Sequence, residues 1–150
     1  MKSIRLVILF ALCSLTSFAQ ETKRIEIPQS GQLESFSIPL GEKGVIVLTQ
    51  VGKSEFILRK FNTNLEQVWT NQGSVEGNLD YVTHCYDGSR LHLLFSRFKS
   101  NNYYIVRVNP QDGKMEKFQI FSVEKMEISN FKALNQSLFI GGVVNNTPVI

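Results

Sequence analysis

The pattern of apolar and polar positions after residue 33 predicts β-strands rather than helices. Two nearly continuous apolar runs, Val45–Leu48 and Leu91–Phe95, are typical of strands that are covered on both faces. Ser54–Phe61 and Asn102–Asn109 alternate instead, as expected of strands that bury only one face. No segment after residue 20 follows a helical period, so the sequence predicts an all-β fold.

Short segments with turn chemistry separate these runs. Asp87-Gly88 and Pro110–Gly113 contain Asp-Gly pairs, which favour the positive φ angles of tight hairpins. Val51–Lys53 and Lys99–Asn102 are two further breaks of glycine or polar residues. Short strands joined by such turns indicate that neighbours in sequence pair in antiparallel fashion.

The strand pattern also repeats along the chain. Val45, Leu91 and Leu138 hold the same place in three successive segments, at intervals of 46 and 47 residues. A further strand-like piece precedes each segment, at Glu34–Ile38, Asp80–His84 and Ser129–Ala133. A period of about 40 to 50 residues with four strands per unit is typical of β-propeller blades. The predicted units are 34–78, 79–126 and 127–150, and an immunoglobulin-like β-sandwich is the alternative fold.

Two stretches carry a family resemblance. Tyr104–Phe118 (YIVRVNPQDGKMEKF) resembles the repeat of quinoprotein-like (PQQ-like) propellers, a WD40-like blade architecture. In that repeat a strand ends near Asp/Asn-Pro, a Gly-Lys turn follows, and an aromatic residue closes the outer strand. Phe56–Trp69 looks like a second copy, with Phe56 aligned to Tyr104, although Asn64-Leu65 replaces the turn glycine. The resemblance implies blade architecture alone, and the family's quinone-binding residues have no counterparts, so no cofactor is predicted.

The first 19 residues have the pattern of a secretory signal peptide. A positive start at Lys2 and Arg5 precedes the apolar stretch Leu6–Leu15, and the small residues Ser17 and Ala19 predict cleavage before residue 20. The stretch is too short to span a bilayer as a helix, which needs about 20 residues. We therefore expect export to the periplasm, the cell surface or the outside of a bacterial cell, with no membrane span in the mature chain.

Composition and charge narrow the classes of function. The chain is 43% hydrophobic, which suits a packed core rather than disorder. It has 16 basic and 13 acidic residues, two of the basic ones within the predicted signal, so the mature part is nearly neutral. With no basic run, neither nucleic acid nor an anionic membrane surface is an expected partner.

The cysteines predict no disulfide. Cys13 lies within the predicted signal, and Leu12 before it does not suit a lipoprotein cleavage site. Cleavage before residue 20 would leave Cys85 without a partner in this sequence. Cys85 is expected to be a small buried residue at the end of a strand.

Few side chains are candidates for metal binding or catalysis. His84, Cys85 and Asp87 could supply three metal ligands at most, beside a turn where neighbouring side chains diverge. His92 is expected to lie on the opposite face of its strand from the leucines around it. For these three histidine and cysteine residues and for Asp87, a role in the fold is favoured over metal binding, so no metal site is predicted.

Catalytic motifs are equally sparse. The carboxylates of Glu76, Asp80 and Asp87 could suggest glycoside hydrolysis, but nearness in sequence does not set the separation which that chemistry needs. There is no glycine-rich phosphate loop and no strand-turn-helix serine elbow. No catalytic residue is predicted.

One group of residues could contact a sugar or a peptide, namely Arg97, Lys99, Tyr103 and Tyr104. The favoured alternative places Tyr104 in the core and Tyr103 outward at a loop edge. The functional hypothesis is a non-enzymatic, exported propeller that binds an unknown protein or glycan through loops such as Asn71–Leu79 and Lys99–Asn102. The competing hypothesis is a propeller enzyme, either a quinoprotein-like dehydrogenase or a glycan-processing enzyme.

The repeat further predicts that the sequence is the N-terminal part of a longer propeller domain. Superposing the units places Val144–Thr147 at a hairpin and Pro148–Ile150 at the start of the next strand. Two units and part of a third cannot close a ring, which typically needs about four to eight blades. The alternative is a small complete protein that closes by oligomerising.

Overall fold

The computed structural model describes Arg24, Glu26, Ile27 and residues 33–150. The signal-peptide prediction, on residues 1–19, lies outside the described residues. The described part is all-β, which confirms the predicted class, and it contains no α-helix beyond a 3-10 turn at Gly41–Lys43.

Ten strands are present in the described residues: β1 (Ser35–Pro39), β2 (Val45–Gly52), β3 (Glu55–Phe61), β4 (Gln67–Ser74), β5 (Asp80–Tyr86), β6 (Leu91–Ser96), β7 (Ser100–Val108), β8 (Met115–Leu134), β9 (Ser137–Val144) and β10 (Thr147–Val149). They form two antiparallel sheets, β1-β2-β3-β4 and β10-β9-β8-β7-β6-β5. Within each sheet, strands that are neighbours in sequence pair with each other, and the chain passes from the first sheet to the second between β4 and β5. Among these strands there is none of the exchange between sheets that an immunoglobulin-like sandwich requires.

The six-stranded sheet curls into a half-barrel because β8 is shared. The first part of β8, Met115–Phe121, pairs with β7, whereas Glu127–Leu134 pairs with β9. We call β1–β4 the first sheet. We call β5, β6, β7 and Met115–Phe121 the second layer, and Glu127–Leu134, β9 and β10 the third layer.

Two hydrophobic clusters join the layers. The larger cluster lies between the first sheet and the second layer, where the Phe56 and Phe95 rings stack at 5.0 Å and the Phe36 and Tyr81 rings lie 4.6 Å apart. The smaller lies between the second and third layers and contains Leu94, Tyr103, Ile105, Met126 and Phe131. Fully burying one such side chain stabilises a fold by about 1.5–3 kcal/mol, so these clusters hold the layers together.

The two middle strands of the second layer, β6 and β7, are thus covered on both faces. Every residue of β6 is buried, as the continuous apolar pattern predicted. β7 departs from its prediction, since Tyr103–Val106 are all buried where alternation indicated one exposed face. The reason is that the third layer packs over the face that was expected to meet solvent.

Turn chemistry is largely as predicted. Gly88 and Gly113 have φ angles of 90° and 72° in the turns that follow β5 and β7. The β9–β10 hairpin turns through Asn145 and Asn146, both at positive φ, within the segment predicted as a hairpin.

The first sheet, the second layer and the third layer pack on one another in that order, and we call the side of each that contacts the next its forward face. Residues at corresponding positions of the first sheet and the second layer lie on the same one of the two faces. Phe56 and Leu58 lie on the forward face of the first sheet, and Tyr103 and Ile105 lie on that of the second layer. Tyr104 faces backward, into the first cluster. The predicted alignment of Phe56 with Tyr104 is therefore wrong by one residue, because alternation along the strand puts Tyr104 on the opposite face.

Candidate functional site

A cleft of about 390 Å³ opens between the second and third layers, at the edge that carries the β5–β6 and β8–β9 turns. On the second layer it is lined by Asp87, His92, Arg107 and Glu116. Gln136 and Ser137 close it from the third layer. The cleft brings together charged and polar side chains that lie far apart in sequence, from Asp87 to Ser137.

Strand register explains why these side chains meet. Cys85 pairs with His92, His92 with Arg107, and Arg107 with Glu116, across four adjacent strands. Directly opposed residues project from the same side of a sheet, so all four form one line on the forward face of the second layer.

Asp87 caps this line through its own turn. Its Oδ1 accepts hydrogen bonds from the Ser89 and Arg90 amides at 2.8 and 2.6 Å, and its Oδ2 lies 3.1 Å from His92 Nε2. Partial burial acts to raise the pKa of Asp87, but the hydrogen bonds from Arg90, His92 and Ser89 outweigh it and hold the pKa well below its usual range. The carboxylate is therefore ionised at neutral pH and fully engaged by its neighbours.

His92 is shielded from solvent. Its side chain is 3% exposed, and Nδ1 is buried without a hydrogen-bond partner among the described residues. In this arrangement the Asp87–His92 pair fixes the β5–β6 turn onto the sheet.

Arg107 is the most exposed cation of the line. Its Nη1 lies 3.2 Å from Glu116 Oε2, and its guanidinium lies over the Phe118 ring at 4.8 Å. The ion pair is largely solvated and contributes about 1 kcal/mol at most. Its main effect is to hold the guanidinium along the outer strand, pointing at the open part of the cleft.

The side chains considered as metal ligands do not come together. His84 Nδ1 lies 2.6 Å from the Tyr81 hydroxyl and belongs to the backward face, whereas Cys85 packs into the smaller cluster on the forward face. The divergence of neighbouring side chains is as predicted, and so is the placing of His92 on the opposite face from Leu91 and Leu93. Within the described ranges no three His, Cys, Asp or Glu side chains are grouped as a metal site would need.

Burial shifts the pKa values of three side chains on β5. It raises the pKa of the Tyr81 hydroxyl to about 12 and lowers the pKa of His84. It also raises the pKa of Cys85 to about 11, helped by Asp87 and opposed by Lys132. Cys85 is therefore a protonated, weakly nucleophilic thiol at neutral pH.

Two of the three carboxylates considered for glycoside hydrolysis, Asp80 and Asp87, are too far apart to act as a pair. Asp80 begins β5 and Asp87 follows its end, so the seven-residue strand separates them. At about 3.3 Å per residue that distance is roughly 20 Å, whereas paired glycosidase carboxylates lie about 5–10 Å apart. Asp80 and Asp87 lie at opposite edges of the second layer.

Neither of the two tyrosines considered as ligand contacts is exposed to solvent. Tyr103 is 1% exposed and donates its hydroxyl hydrogen to Ser100 O at 2.6 Å, so the expectation that it faces outward is wrong. Tyr104 is in the larger cluster, as expected, and its hydroxyl bonds Gln119 Oε1 at 3.2 Å. The third layer is what covers Tyr103.

The two predicted binding loops meet at the edge opposite the cleft. Arg97 Nε donates to Asn78 O at 2.8 Å, which ties the β6–β7 turn to the β4–β5 connection. Part of each predicted loop is strand, because β4 continues to Ser74 and β7 begins at Ser100, which leaves Lys99 as the one residue of its loop outside a strand. The β4–β5 connection is anchored by Ser54, whose Oγ accepts the Leu79 amide at 2.8 Å.

Sequence reasoning grouped Asp87 with His84 and missed its pairing with His92. A usable signal was present: an Asp-Gly turn starts at Asp87, and the second residue of the strand after it is a polar histidine within an apolar run. A turn-forming aspartate of this kind reaches back over the strand that follows it.

Comparison with known proteins finds no family model that matches the chain, and no match among curated proteins or solved structures. Over the part of the chain that the structure describes, no helix is both long and apolar enough to cross a membrane. The case for a function therefore rests on the geometry of the layers and their edges.

Proposed function

We propose that this chain is part of an exported β-propeller domain that acts as a binding scaffold at the cell envelope or outside the cell. The observation that carries the proposal is the repeated stacking: a four-stranded meander, a second one packed on its forward face, and a third begun on the forward face of the second. Blades around a propeller axis are related in this way.

Hydrogen bonds between layers support a fixed rotation from one unit to the next. Lys60 Nζ and Trp69 Nε1 both donate to Pro110 O, at 2.7 and 3.1 Å. Asn71 Nδ2 donates to Gly113 O at 2.9 Å. These three hydrogen bonds hold the outer half of the first sheet against the β7–β8 turn, and so they oppose movement of one layer along the other.

The burial profile across each layer supports blades as well. The middle strands are the most buried, with all of β6 enclosed. The outer strand β4 alternates between exposed and half-buried residues, as an outer blade strand does where it meets solvent. A signal peptide pattern on residues 1–19 is the basis for proposing export.

The edge with the β6–β7 turn is the proposed recognition surface. Phe98 is 78% exposed at the tip of this turn, and Val82 beside it is 40% exposed. Arg97 and Lys99 flank Phe98, and a cleft of about 300 Å³ lies between this turn and Glu127 of the third layer. An exposed aromatic residue with cationic neighbours is typical of a binding hot spot for a protein or glycan partner.

Electron microscopy of the full exported polypeptide tests the architecture. We expect class averages of a closed ring with about four to eight radial blades. Particles without a ring, such as a two-sheet sandwich, would overturn the proposal.

A sedimentation assay with envelope fragments of the producing cell tests the surface. Phe98→Ala is expected to reduce binding about tenfold or more, the range for loss of a hot-spot aromatic. Val68→Ala is the matched control, since Val68 is 50% exposed on the first sheet, away from this edge. Equal binding by both variants would exclude Phe98 as the anchor.

A further inference from the structure

β4 is the outer strand of the first sheet, and one of its two edges is free. The sheet order ends at β4, so among the described strands only β3 pairs with it. Further blades of the proposed propeller would stack on the faces of the first sheet and not along this edge. The edge therefore presents unpaired main-chain groups along the eight residues of Gln67–Ser74.

The hydrogen-bond pattern shows which main-chain groups are free. The Val75 amide, directly after β4, donates to Ser54 O at 2.8 Å. Successive residues of an antiparallel strand point their main-chain groups to opposite sides, so Asn71, like Val75, points toward β3. Thr70 and Gln72 flank Asn71, so their amides and carbonyls point away from β3. Both side chains are exposed as well.

The second layer holds β4 in place from its forward face. Trp69 Nε1 donates to Pro110 O at 3.1 Å, and Asn71 Nδ2 donates to Gly113 O at 2.9 Å. Both bonds come from residues of β4 that alternate with the outward-pointing ones. A partner strand would therefore meet an edge that is already ordered, which lowers the entropy cost of pairing with it.

β4 lacks the side chains that protect a sheet edge from pairing. Natural sheets place charged residues, lysine above all, or proline on such edges, or interrupt them with bulges. The sequence of β4, QVWTNQGS, contains no charged residue and no proline. The one irregularity in its pairing lies at its start, between Lys60 and Phe61 of β3. From Trp69 to Ser74 the edge is regular and uncharged.

The outer strand of the second layer carries the protection that β4 lacks. Lys60 and Arg107 occupy corresponding positions, because each pairs with the second residue of the strand before its own, β2 or β6. Thr70 pairs with the residue before Lys60, and Lys117 pairs with the residue before Arg107. Lys117 is therefore the counterpart of Thr70, and it puts a charge in the middle of the corresponding edge.

We propose that the free edge of β4 is a dimerisation surface, at which the β4 strands of two copies of this chain pair in antiparallel fashion about a twofold axis. A second copy fits this edge because β4 is uncharged, so no register brings like charges of the two strands opposite each other. The outward amides and carbonyls of Thr70 and Gln72 then bond those of the other copy. The two first sheets become one continuous sheet. This surface is separate from the recognition edge at Phe98 and does not depend on ring closure.

Sedimentation velocity of the full exported polypeptide over a range of concentrations tests for the dimer. We expect a monomer that converts into a dimer as the concentration rises, because a single strand edge buries a small area. Amide hydrogen exchange locates the contact. The outward amides of Thr70 and Gln72 should exchange rapidly in the monomer and slowly in the dimer, since pairing gives them acceptors.

Two substitutions at one position test the edge. Thr70→Lys copies the second layer and should weaken dimerisation about fivefold or more, through repulsion between the copies. Thr70→Pro removes an outward amide hydrogen without removing a bond to β3, and should weaken it about tenfold. Thr63→Lys is the matched control, the same substitution at an exposed residue of the β3–β4 turn, and should dimerise as the parent chain does. Circular dichroism melts establish that each variant is folded.

Three results would overturn the proposal. The first is a chain that stays monomeric at every concentration. The second is a dimer that Thr70→Lys leaves unchanged, with rapid exchange at Thr70 and Gln72, which would place the contact on another surface. The third is equal weakening by Thr63→Lys, which would assign the effect to net charge instead of the β4 edge. Each result is independent of whether electron microscopy shows a ring and of whether Phe98 binds the envelope.

Discussion

The interface between the first sheet and the second layer is closed, whereas the one between the second and third layers is open at its outer end. In the first, the Phe56 and Phe95 rings stack in the middle and Trp69 meets the Pro110 carbonyl at the periphery. In the second, the centre is filled by residues such as Tyr103 and Phe131, but the periphery holds a polar cleft and an apolar groove. The middle strands of the second layer are covered by the layers on either side, while an outer strand depends on the outer strand of the next layer.

The same contrast changes what a cation does. Lys60 reaches a backbone carbonyl 2.7 Å away in the next layer, so it contributes to holding two layers together. Arg107, at the corresponding position, reaches only Glu116 and Phe118 of its own layer. Both layers carry a long cationic side chain at this position, and its contacts depend on whether the neighbouring layer covers it.

Loss of the central aromatic residue of the closed interface should have the largest effect. Phe56 is fully buried, and Phe56→Ala would leave a cavity that costs about 3–5 kcal/mol of unfolding free energy. Urea denaturation followed by circular dichroism measures the change. Phe98→Ala is the control, because Phe98 is 78% exposed and its loss should change stability by less than about 0.5 kcal/mol.

The second prediction compares two turn glycines of the second layer. A Cβ on Gly113 would meet Asn71 Nδ2 and lie 3.1 Å from the Trp69 ring, in addition to the strain of φ 72°. Gly113→Ala should therefore destabilise by about 2–4 kcal/mol. Gly88→Ala has comparable φ strain but meets no atom within 4 Å, so a cost of about 1 kcal/mol is expected. If thermal unfolding shows the same loss of stability for Gly113→Ala and Gly88→Ala, the first sheet does not pack tightly against the β7–β8 turn.

The two cations provide a finer test. Lys60→Met removes a hydrogen bond from a charged donor and should cost about 1–2 kcal/mol. Arg107→Met removes a solvated ion pair and should cost less than about 0.5 kcal/mol. Chemical denaturation of both variants at the same salt concentration measures the difference, and a larger loss for Arg107 would reverse the comparison of the interfaces.

The smallest predicted effect is a pH dependence at the edge of the open interface. The folded state holds the pKa of Asp87 below its unfolded value, so its hydrogen bonds stabilise the fold above about pH 4 and this stabilisation is lost as the pH falls. Asp87→Asn should lower the melting temperature at pH 7 and have progressively less effect toward pH 3. A constant difference across that range would show that Asp87 does not titrate as this geometry requires.

Much of the fold can be predicted from the sequence because strand patterns and turns are local. The enclosed strand β6, the turn at Gly88 and the β9–β10 hairpin all follow from residue types within a few positions. Two predictions were wrong for a different reason: that Tyr103 faces outward, and that Phe56 aligns with Tyr104. Both depend on which layer packs over a strand, and alternation within one strand does not contain that information.

The candidate site is harder to predict for a related reason. The line from Cys85 to Glu116 crosses four strands, so its members are brought together by register between segments far apart in sequence. The Asp87–His92 pair is the part with a local signal, in the Asp-Gly turn that precedes the strand.

The fluorescence of one tryptophan, placed in turn at the two corresponding positions, tests the contrast between the interfaces most directly. Trp69 is the sole tryptophan of the sequence and pairs with Lys60, as Glu116 pairs with Arg107. The parent chain should resist acrylamide quenching, because the β7–β8 turn covers Trp69. The double variant Trp69→Phe, Glu116→Trp should be quenched several-fold more strongly, because Glu116 lies on an exposed outer strand. Equal quenching of the two proteins would contradict the account.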